Sequence, residues 1–376
     1  MITSDVIIVG AGLAGLHAAR RLHAAGVEVL VVEARDRLGG RILSAGDDGQ
    51  ASDDGFDLGP SWFWPHTQPA IGALVAELGL TAFAQASDGD VIIERMSREA
   101  PRRYRGMPQE GSSMRLVGGS GALVRALAND LPADRLRIGT RVTAMTLGST
   151  GVELTVAGAG APSTLHGSHV IAALPPRLLD ATVAFTPPQE AATAARWRET
   201  PTWMAPHAKF FALYDRAFWR EAGLSGTAQS MVGPLVEIHD ATTASGRPGL
   251  FGFLGVGAEQ RAAVGEAALR RACVEQLARL FGADAGHPRT TLLKDWAADP
   301  LTATAADRGG DHPMPHASPW VTGPWAARLT LAGSETSAVE PGYLAGAVHV
   351  GHLAASEVLT RKGCAVSSTL RATISR

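Results

Sequence analysis

The chain opens with an unbroken apolar run, Val6-Ile7-Ile8-Val9, and a second apolar run covers 27–32. Runs this short with no alternation predict strands buried on both faces, as in a parallel sheet. Between them the pattern predicts a helix over roughly 13–25, completing a strand–helix–strand unit. Further along, Ile71, Leu74, Val75 and Leu78 share one helical face, stopped by Gly79. A second amphipathic stretch predicts a helix over 121–131. Strands are expected at 141–145 and 152–156, which alternate, and at 170–174, which is wholly apolar and ends in Pro175-Pro176. The middle of the chain predicts strands at 209–214 and 250–254 and one long alanine-rich helix over 258–281. Residues 296–325 are rich in Gly, Pro, His and Asp and read as loop. A last strand, 328–333, and a helix over 343–359 close the fold, and the tail after Arg361 is expected to be mobile.

At 376 residues the chain predicts two domains or one large interleaved unit. A formal net charge of −2 with no basic stripe argues against a nucleic-acid partner. Arg95, Arg98, Arg102, Arg103 and Arg105 do crowd the polar stretch 85–111, which reads first as a solvated hairpin or loop. Two cysteines, Cys273 and Cys364, exclude a disulfide framework and a cysteine metal site. His66, His207, His239, His312, His316, His349 and His352 are scattered without ligand spacing. No apolar run reaches the ~18 residues of a membrane span, and no basic leader precedes the first strand. A cytoplasmic protein with no membrane partner is expected. The 43 glycines exceed the ~26 that average usage would give, so many tight turns follow.

The first apolar run leads into Gly10-Ala11-Gly12-Leu13-Ala14-Gly15, and the second ends in Glu33. In that context the glycines have separate tasks. Gly10 permits a tight turn, Gly12 lets backbone approach a pyrophosphate, and Gly15 lets helix pack on strand. The start of the 13–25 helix would aim unpaired N–H groups at phosphate. Glu33 would accept from an adenosine ribose. Beyond it, Gly39-Gly40-Arg41 offers a close backbone approach and a phosphate-pairing cation.

The order of these segments resembles the FAD-dependent amine oxidase family of the monoamine oxidase type, over nearly the whole chain. The resemblance rests on Gly10 to Gly15 with Glu33, on Glu33-Ala34-Arg35-Asp36-Arg37-Leu38-Gly39-Gly40-Arg41, and on Asp57 to Pro65. It continues through Gly118-Gly119-Ser120-Gly121, Val170 to Pro176, and Leu331-Ala332-Gly333-Ser334-Glu335-Thr336 followed by Gly342-Tyr343-Leu344-Ala345-Gly346-Ala347. It implies an α/β protein: a Rossmann-like FAD-binding domain of the GR2 flavoprotein type, formed by 1–83, 114–183 and 296–376. A smaller α+β substrate domain with a mixed or antiparallel sheet, 84–113 and 184–295, is interleaved with it. It implies non-covalent FAD, an amine substrate and O2. The amine would lose a hydride to flavin N5, the imine would hydrolyse, and O2 would return as H2O2.

The resemblance also assigns residues. Gly10, Gly12, Leu13, Ala14, Gly15, Glu33, Ala34, Arg35, Gly39, Gly40 and Arg41 would hold the nucleotide and pyrophosphate. Val142 would read the adenine through its backbone, and Pro60, Ser61 and Trp62 would line the cofactor. Gly333, Ser334 and Glu335 would hold the ribityl region. Gly342, Tyr343 and Leu344 would start a helix aimed at the flavin pyrimidine, whose dipole suits negative charge there. Lys209 would reach flavin N5 through water, although its residues alone also allow a snorkelling edge lysine. Trp296 would stand at the flavin edge, and Tyr343 would flank the amine.

Three features depart from the family pattern. Ala305 falls where some relatives bind flavin through cysteine, so attachment should be non-covalent. Ala306 falls where a second cage aromatic is usual, leaving Trp62, Trp64 or Trp203 to replace it. Only about 30 residues separate Phe83 from Met114, too few for the lid of larger relatives, so a homodimer partner could close the pocket. Two other readings stay open: a flavin oxidase or desaturase acting on a carbon skeleton, and a non-catalytic flavin-binding protein.

Overall fold

In a computed structural model, residues 2–106, 113–158, 162–316 and 319–363 are described. The expected tail beyond 363, with Cys364, lies outside them. Ile2–Val9 pairs in parallel with Val29–Val32 on one side and with Ser163–Ala172 on the other. Val6, Ile8, Val29 and Val31 enter one core with the helices. Ile7, Val9, Leu30 and Val32 enter another, with Trp197 and Trp325. Successive side chains of a strand point to opposite faces, so a sheet with a core on each face needs an uninterrupted apolar run.

The full sheet runs Ala184–Thr186, Arg141–Leu147, Val152–Ala157, Ser163–Ala172, Ile2–Val9, Val29–Val32, Leu136–Arg137, with Leu329–Leu331 beside the end of Ser163–Ala172. The Ser163–Ala172 strand is longer than its apolar end at 170–174 predicts. Its polar first half pairs antiparallel with Val152–Ala157, where neighbouring backbone, not side-chain hydrophobicity, makes it a strand. Ala184–Thr186 pairs in parallel with Arg141–Leu147, so this sheet extends past the 184 boundary that the sequence pattern suggests.

Helix Leu13–Ala24 packs against helix Leu344–Arg361. The approach is close: a Cβ on Gly351 would lie 2.5 Å from the Ala14 carbonyl oxygen. The helices Pro69–Glu77 and Gly121–Asn129 complete this layer.

A second sheet runs Thr290–Asp295, Ala208–Leu213, Gly249–Leu254, Leu235–Asp240, Leu224–Ser230, Asp90–Glu94, Arg102–Tyr104. All its contacts are antiparallel except Leu224–Ser230 on Asp90–Glu94. The arginine-rich stretch is thus a hairpin on the sheet edge, with Arg102 and Arg103 exposed. The helix expected over 258–281 is two, Ala258–Val264 and Glu266–Phe281, broken at Gly265, where glycine ends the first helix. The second covers one face of the sheet through Leu269, Cys273 and Leu277. Among the described residues no helix is long and apolar enough to cross a membrane.

Candidate active site

One cavity of about 400 Å³ lies between the two sheets, lined from both. At one end, the turn after Ile2–Val9 delivers Gly10, Gly12, Leu13 and Ala14 to its wall. Gly10 sits at φ 103°, and a Cβ there would be 2.6 Å from the Ala173 carbonyl oxygen. The loop can take this path only with glycine. Gly15 does not line the cavity. Its missing Cβ would lie 2.0 Å from the Gly10 carbonyl oxygen, so it serves the packing of helix on turn.

The Gly39–Gly40 turn is fastened to this loop by a hydrogen bond from Gly39 N–H to the Ala11 carbonyl at 2.8 Å. Arg37 secures the turn by donating to the carbonyls of Leu38, Gly40 and Ile42. A Cβ on Gly12 would meet only the Gly39 oxygen, 3.9 Å away, and would otherwise project into open space. That cradle, beside the N-terminus of Leu13–Ala24, suits a pyrophosphate.

Glu33, just past Val29–Val32, is buried. Its two oxygens accept from the Ala11 and Arg35 backbone N–H groups, each at 2.8 Å. Ala34 and Arg35 continue the wall, and Val142 closes it from Arg141–Leu147. Arg35 makes a bidentate pair with Asp299 (2.9 and 2.9 Å) and donates to Thr302. Burial opposes charge on Asp299, but hydrogen bonds from Arg35 and Lys294 outweigh it and hold its pKa down to about 2. This pair folds the 299–302 turn against the nucleotide end.

Gly333, Ser334, Gly342, Tyr343 and Leu344 reach the cavity from the far end of the chain, with Tyr343 as N-cap of Leu344–Arg361. Glu335 does not line it. Fully buried, Glu335 pairs with Arg41 (2.5 and 3.1 Å), which does line it. Glu335 therefore meets the cavity only through its pairing with Arg41.

At the opposite end, Ala208–Leu213 places Lys209 in the cavity wall with Pro60, Ser61, Trp62, Phe253 and Trp296. Lys209 Nζ donates to the Gly59 carbonyl (2.6 Å), Ser61 Oγ (2.9 Å) and the Asp57 carbonyl (3.2 Å), and lies over Phe251 and Phe253. It is no snorkelling edge residue, since its strand is paired on both sides, with Thr290–Asp295 and Gly249–Leu254, and is wholly buried. Burial pushes its pKa down to about 7, helped by Arg115 and opposed by Asp57. Three acceptors suit an ammonium and burial suits a neutral amine, so the group can hold or lose a proton near neutrality. Trp296 is anchored by its Nε1, which donates to the Leu58 carbonyl at 3.1 Å.

Ala305 and Ala306 lie on an exposed turn and line no part of the cavity, so the expected cage position is not Ala306. Trp203 instead stands beside Tyr343, ring centroids 5.7 Å apart, and His312 packs against both rings, 4.0 Å from Trp203 and 5.8 Å from Tyr343. Trp203, Met204 and His207 all line the cavity. From the sequence, Trp203 is one of three possible substitutes, with Trp62 and Trp64. The signal for it in the sequence is its place in the loop that leads directly into the Lys209 strand. No cluster of metal-ligating side chains occurs among the described residues.

Comparison with known proteins agrees with this geometry. The profile described as flavin containing amine oxidoreductase matches residues 83–359, and an NAD(P)-binding Rossmann-like domain matches 8–78. A Mycobacterium tuberculosis protein, provisionally named a flavin-containing monoamine oxidase, is 29% identical over 95% of this chain and 96% of its own. Putrescine oxidase of Kocuria rosea is 26% identical over 95% of each chain. Among solved structures, wild-type putrescine oxidase bound to putrescine superposes with a TM-score of 0.77 at 23% identity, covering 96% of this chain and 100% of the other. Cyclohexylamine oxidase from Brevibacterium oxydans gives 0.78 at 20% identity, covering 96% and 99%. The chain belongs to the flavin-containing amine oxidoreductases, with a Rossmann-like fold, FAD as its cofactor, and amines as the donors it oxidises.

Proposed function

We propose that this protein is an amine oxidase with non-covalently bound FAD, acting on an amine that carries a single cationic group. Bound FAD would supply the two-electron acceptor, taking a hydride from the carbon next to a neutral amine and passing the electrons, with protons, to O2 to give H2O2. The imine left behind adds water and releases ammonia or a smaller amine with a carbonyl product. The chain's residues bind, orient and exclude water.

The observation that carries this reading is the convergence of early, middle and late segments on one cavity. Glu33, the Gly10–Gly12 turn and Gly39–Gly40 stand at its nucleotide end. Lys209, Trp296 and Tyr343 stand at its other end. Gly59, Ser61 and Asp57 orient the Lys209 nitrogen through the three hydrogen bonds described. Apolar and aromatic walls there favour the uncharged amine that hydride loss needs. Cys273 is buried in the core against the second sheet and does not line the cavity, which supports non-covalent attachment.

Glu33 is the one carboxylate among the described residues lining this cavity, and both its oxygens are taken by backbone N–H groups. Glu340 lines the outer mouth. No free carboxylate in the cavity waits for a second ammonium, which supports a monoamine over a diamine. The test is anaerobic mixing of the yellow protein with butylamine, cyclohexylamine and putrescine. Bleaching by the monoamines with little by putrescine is the expected result. Bleaching only by non-amine donors would instead select the carbon-skeleton oxidase, and persistent colour with every donor the non-catalytic protein.

A further inference from the structure

Trp203 lies just ahead of the Ala208–Leu213 strand, and both its backbone groups are engaged from the cofactor side. Its N–H donates to Glu335 Oε1 at 3.2 Å, and its carbonyl accepts from Arg41 Nη1 at 3.0 Å. Arg41 and Glu335 are themselves an ion pair, with the Glu335 side chain wholly buried. One carboxylate oxygen thus serves both the cofactor-lining arginine and the Trp203 backbone.

The next residue, Met204, has φ 61°, and among the described residues no other non-glycine has a positive φ. Such a backbone is strained for a residue with a Cβ and persists only where surrounding contacts over-determine it. Here two hydrogen bonds to charged groups do so, and such bonds are the stronger kind. Gly342 supplies the third constraint: a Cβ there would lie 2.3 Å from Trp203 Cβ and 2.6 Å from its Cγ. Glycine at 342 is what leaves the indole its slot.

The indole touches Tyr343 and His312. Tyr343 lines both the main cavity and the outer mouth, which also includes His312 and the Pro313–Pro315 stretch. A substrate sandwiched between two aromatic faces needs about 7 Å, twice an ordinary contact distance. Trp203 and Tyr343 stand closer than that, with centroids 5.7 Å apart.

We infer that Trp203 is the specificity-determining wall of the amine site, and that the Arg41–Glu335 pair and Gly342 are its positioning residues. Resting on the amine oxidase reading above, the inference adds that Trp203 limits the bulk of the carbon skeleton beside Tyr343. The groups on the cofactor side thereby set the width of the amine side.

The experiment measures flavin absorbance per chain and kcat/KM for a small linear amine (butylamine) and a bulky one (N-methylbenzylamine). Trp203→Ala should raise the bulky-to-small ratio tenfold or more, in the range one misfitted group in a pocket controls, with flavin content unchanged. Trp203→Phe should move the ratio the same way by less, and serves if the alanine variant folds poorly. Gly342→Ala should also shift the ratio, because its new methyl displaces the indole. That shift should vanish when Gly342→Ala is placed in a Trp203→Gly background. Glu335→Gln should shift the ratio and increase acrylamide quenching of the fluorescence that wild type has and Trp203→Phe lacks. A ratio within twofold of wild type in both Trp203 variants, with flavin bound and bleached by amines, overturns the inference alone. Failure of every amine to bleach the wild-type flavin overturns the functional reading and this inference with it.

Discussion

The two ends of the cavity are made of different material. At the Glu33 end the wall is largely main chain: two glycine turns, a helix N-terminus, and a carboxylate whose partners are backbone N–H groups. At the Lys209 end the wall is side chains from five separate stretches, held by distant carbonyls, hydroxyls and rings. A backbone cradle is written locally, because only glycine allows the path, and it suits a ligand group that never changes. A side-chain wall is written non-locally and can be reshaped one residue at a time. On the reading proposed above, the grip on the nucleotide belongs to the first end, and the redox step and the choice of amine to the second.

The contrast can be broken most severely at Gly10. Gly10→Ala adds a methyl 2.6 Å from a carbonyl oxygen at φ 103°, which should cost about 3 kcal/mol or more. The expected outcome is protein that retains no flavin on gel filtration and unfolds at lower urea. A yellow, normally stable variant would show that the turn can re-route.

Lys209→Met tests the other end. Flavin should stay bound while its reduction or reoxidation slows by about 10²-fold, the scale of one positioned catalytic group, read by stopped-flow absorbance. The same variant has a pH signature. With its pKa lowered to about 7, Lys209 in the folded chain has shed its proton at pH values where the unfolded chain still holds one. Wild-type stability should therefore rise with pH between about 7 and the ordinary lysine range. Lys209→Met should lose that slope in urea titrations, and an unchanged slope would assign it to other groups.

Asp299→Asn should act through the 299–302 turn. Holding a carboxylate at about pKa 2 contributes roughly 2 kcal/mol, present above the ordinary Asp pKa and lost as pH falls toward 2. The variant should be less stable at neutral pH, leak flavin faster, and show a flatter acid limb. Turnover of the flavin that remains should be near wild type. If chemistry fell and retention did not, the pair would belong to the Lys209 end.

The smallest effect is expected at the edge hairpin. The Arg102 side chain is 67% exposed in its pair with Glu99, and such pairs contribute about 0–1 kcal/mol. Arg102→Ala should change neither flavin content nor turnover, and stability by less than ~0.5 kcal/mol. A marked loss of either would give the arginine cluster a role beyond solvation.

The legibility of the chain follows the same division. Glycine spacing, the apolar runs and Glu33 announced the nucleotide end, since each constraint acts within a few residues. The Lys209 strand was visible as an apolar run interrupted by one lysine. By contrast, Leu224–Ser230 and the first half of Ser163–Ala172 carry little strand pattern and are strands because neighbours offer them backbone partners. Gly265 breaks a helix that its alanine-rich flanks would have continued.

By itself the sequence determined the strand–helix–strand opening, the glycine cradle, the buried lysine and the kind of cofactor these serve. Tertiary structure alone decided that Glu335 pairs with Arg41, that Asp299 pairs with Arg35, and that Trp203 rather than residue 306 stands beside Tyr343. The physical reason is range. Backbone conformation and hydrophobic periodicity are properties of adjacent residues, whereas an ion pair between Arg41 and Glu335 joins positions 294 residues apart and exists only once the two sheets close on the cavity between them.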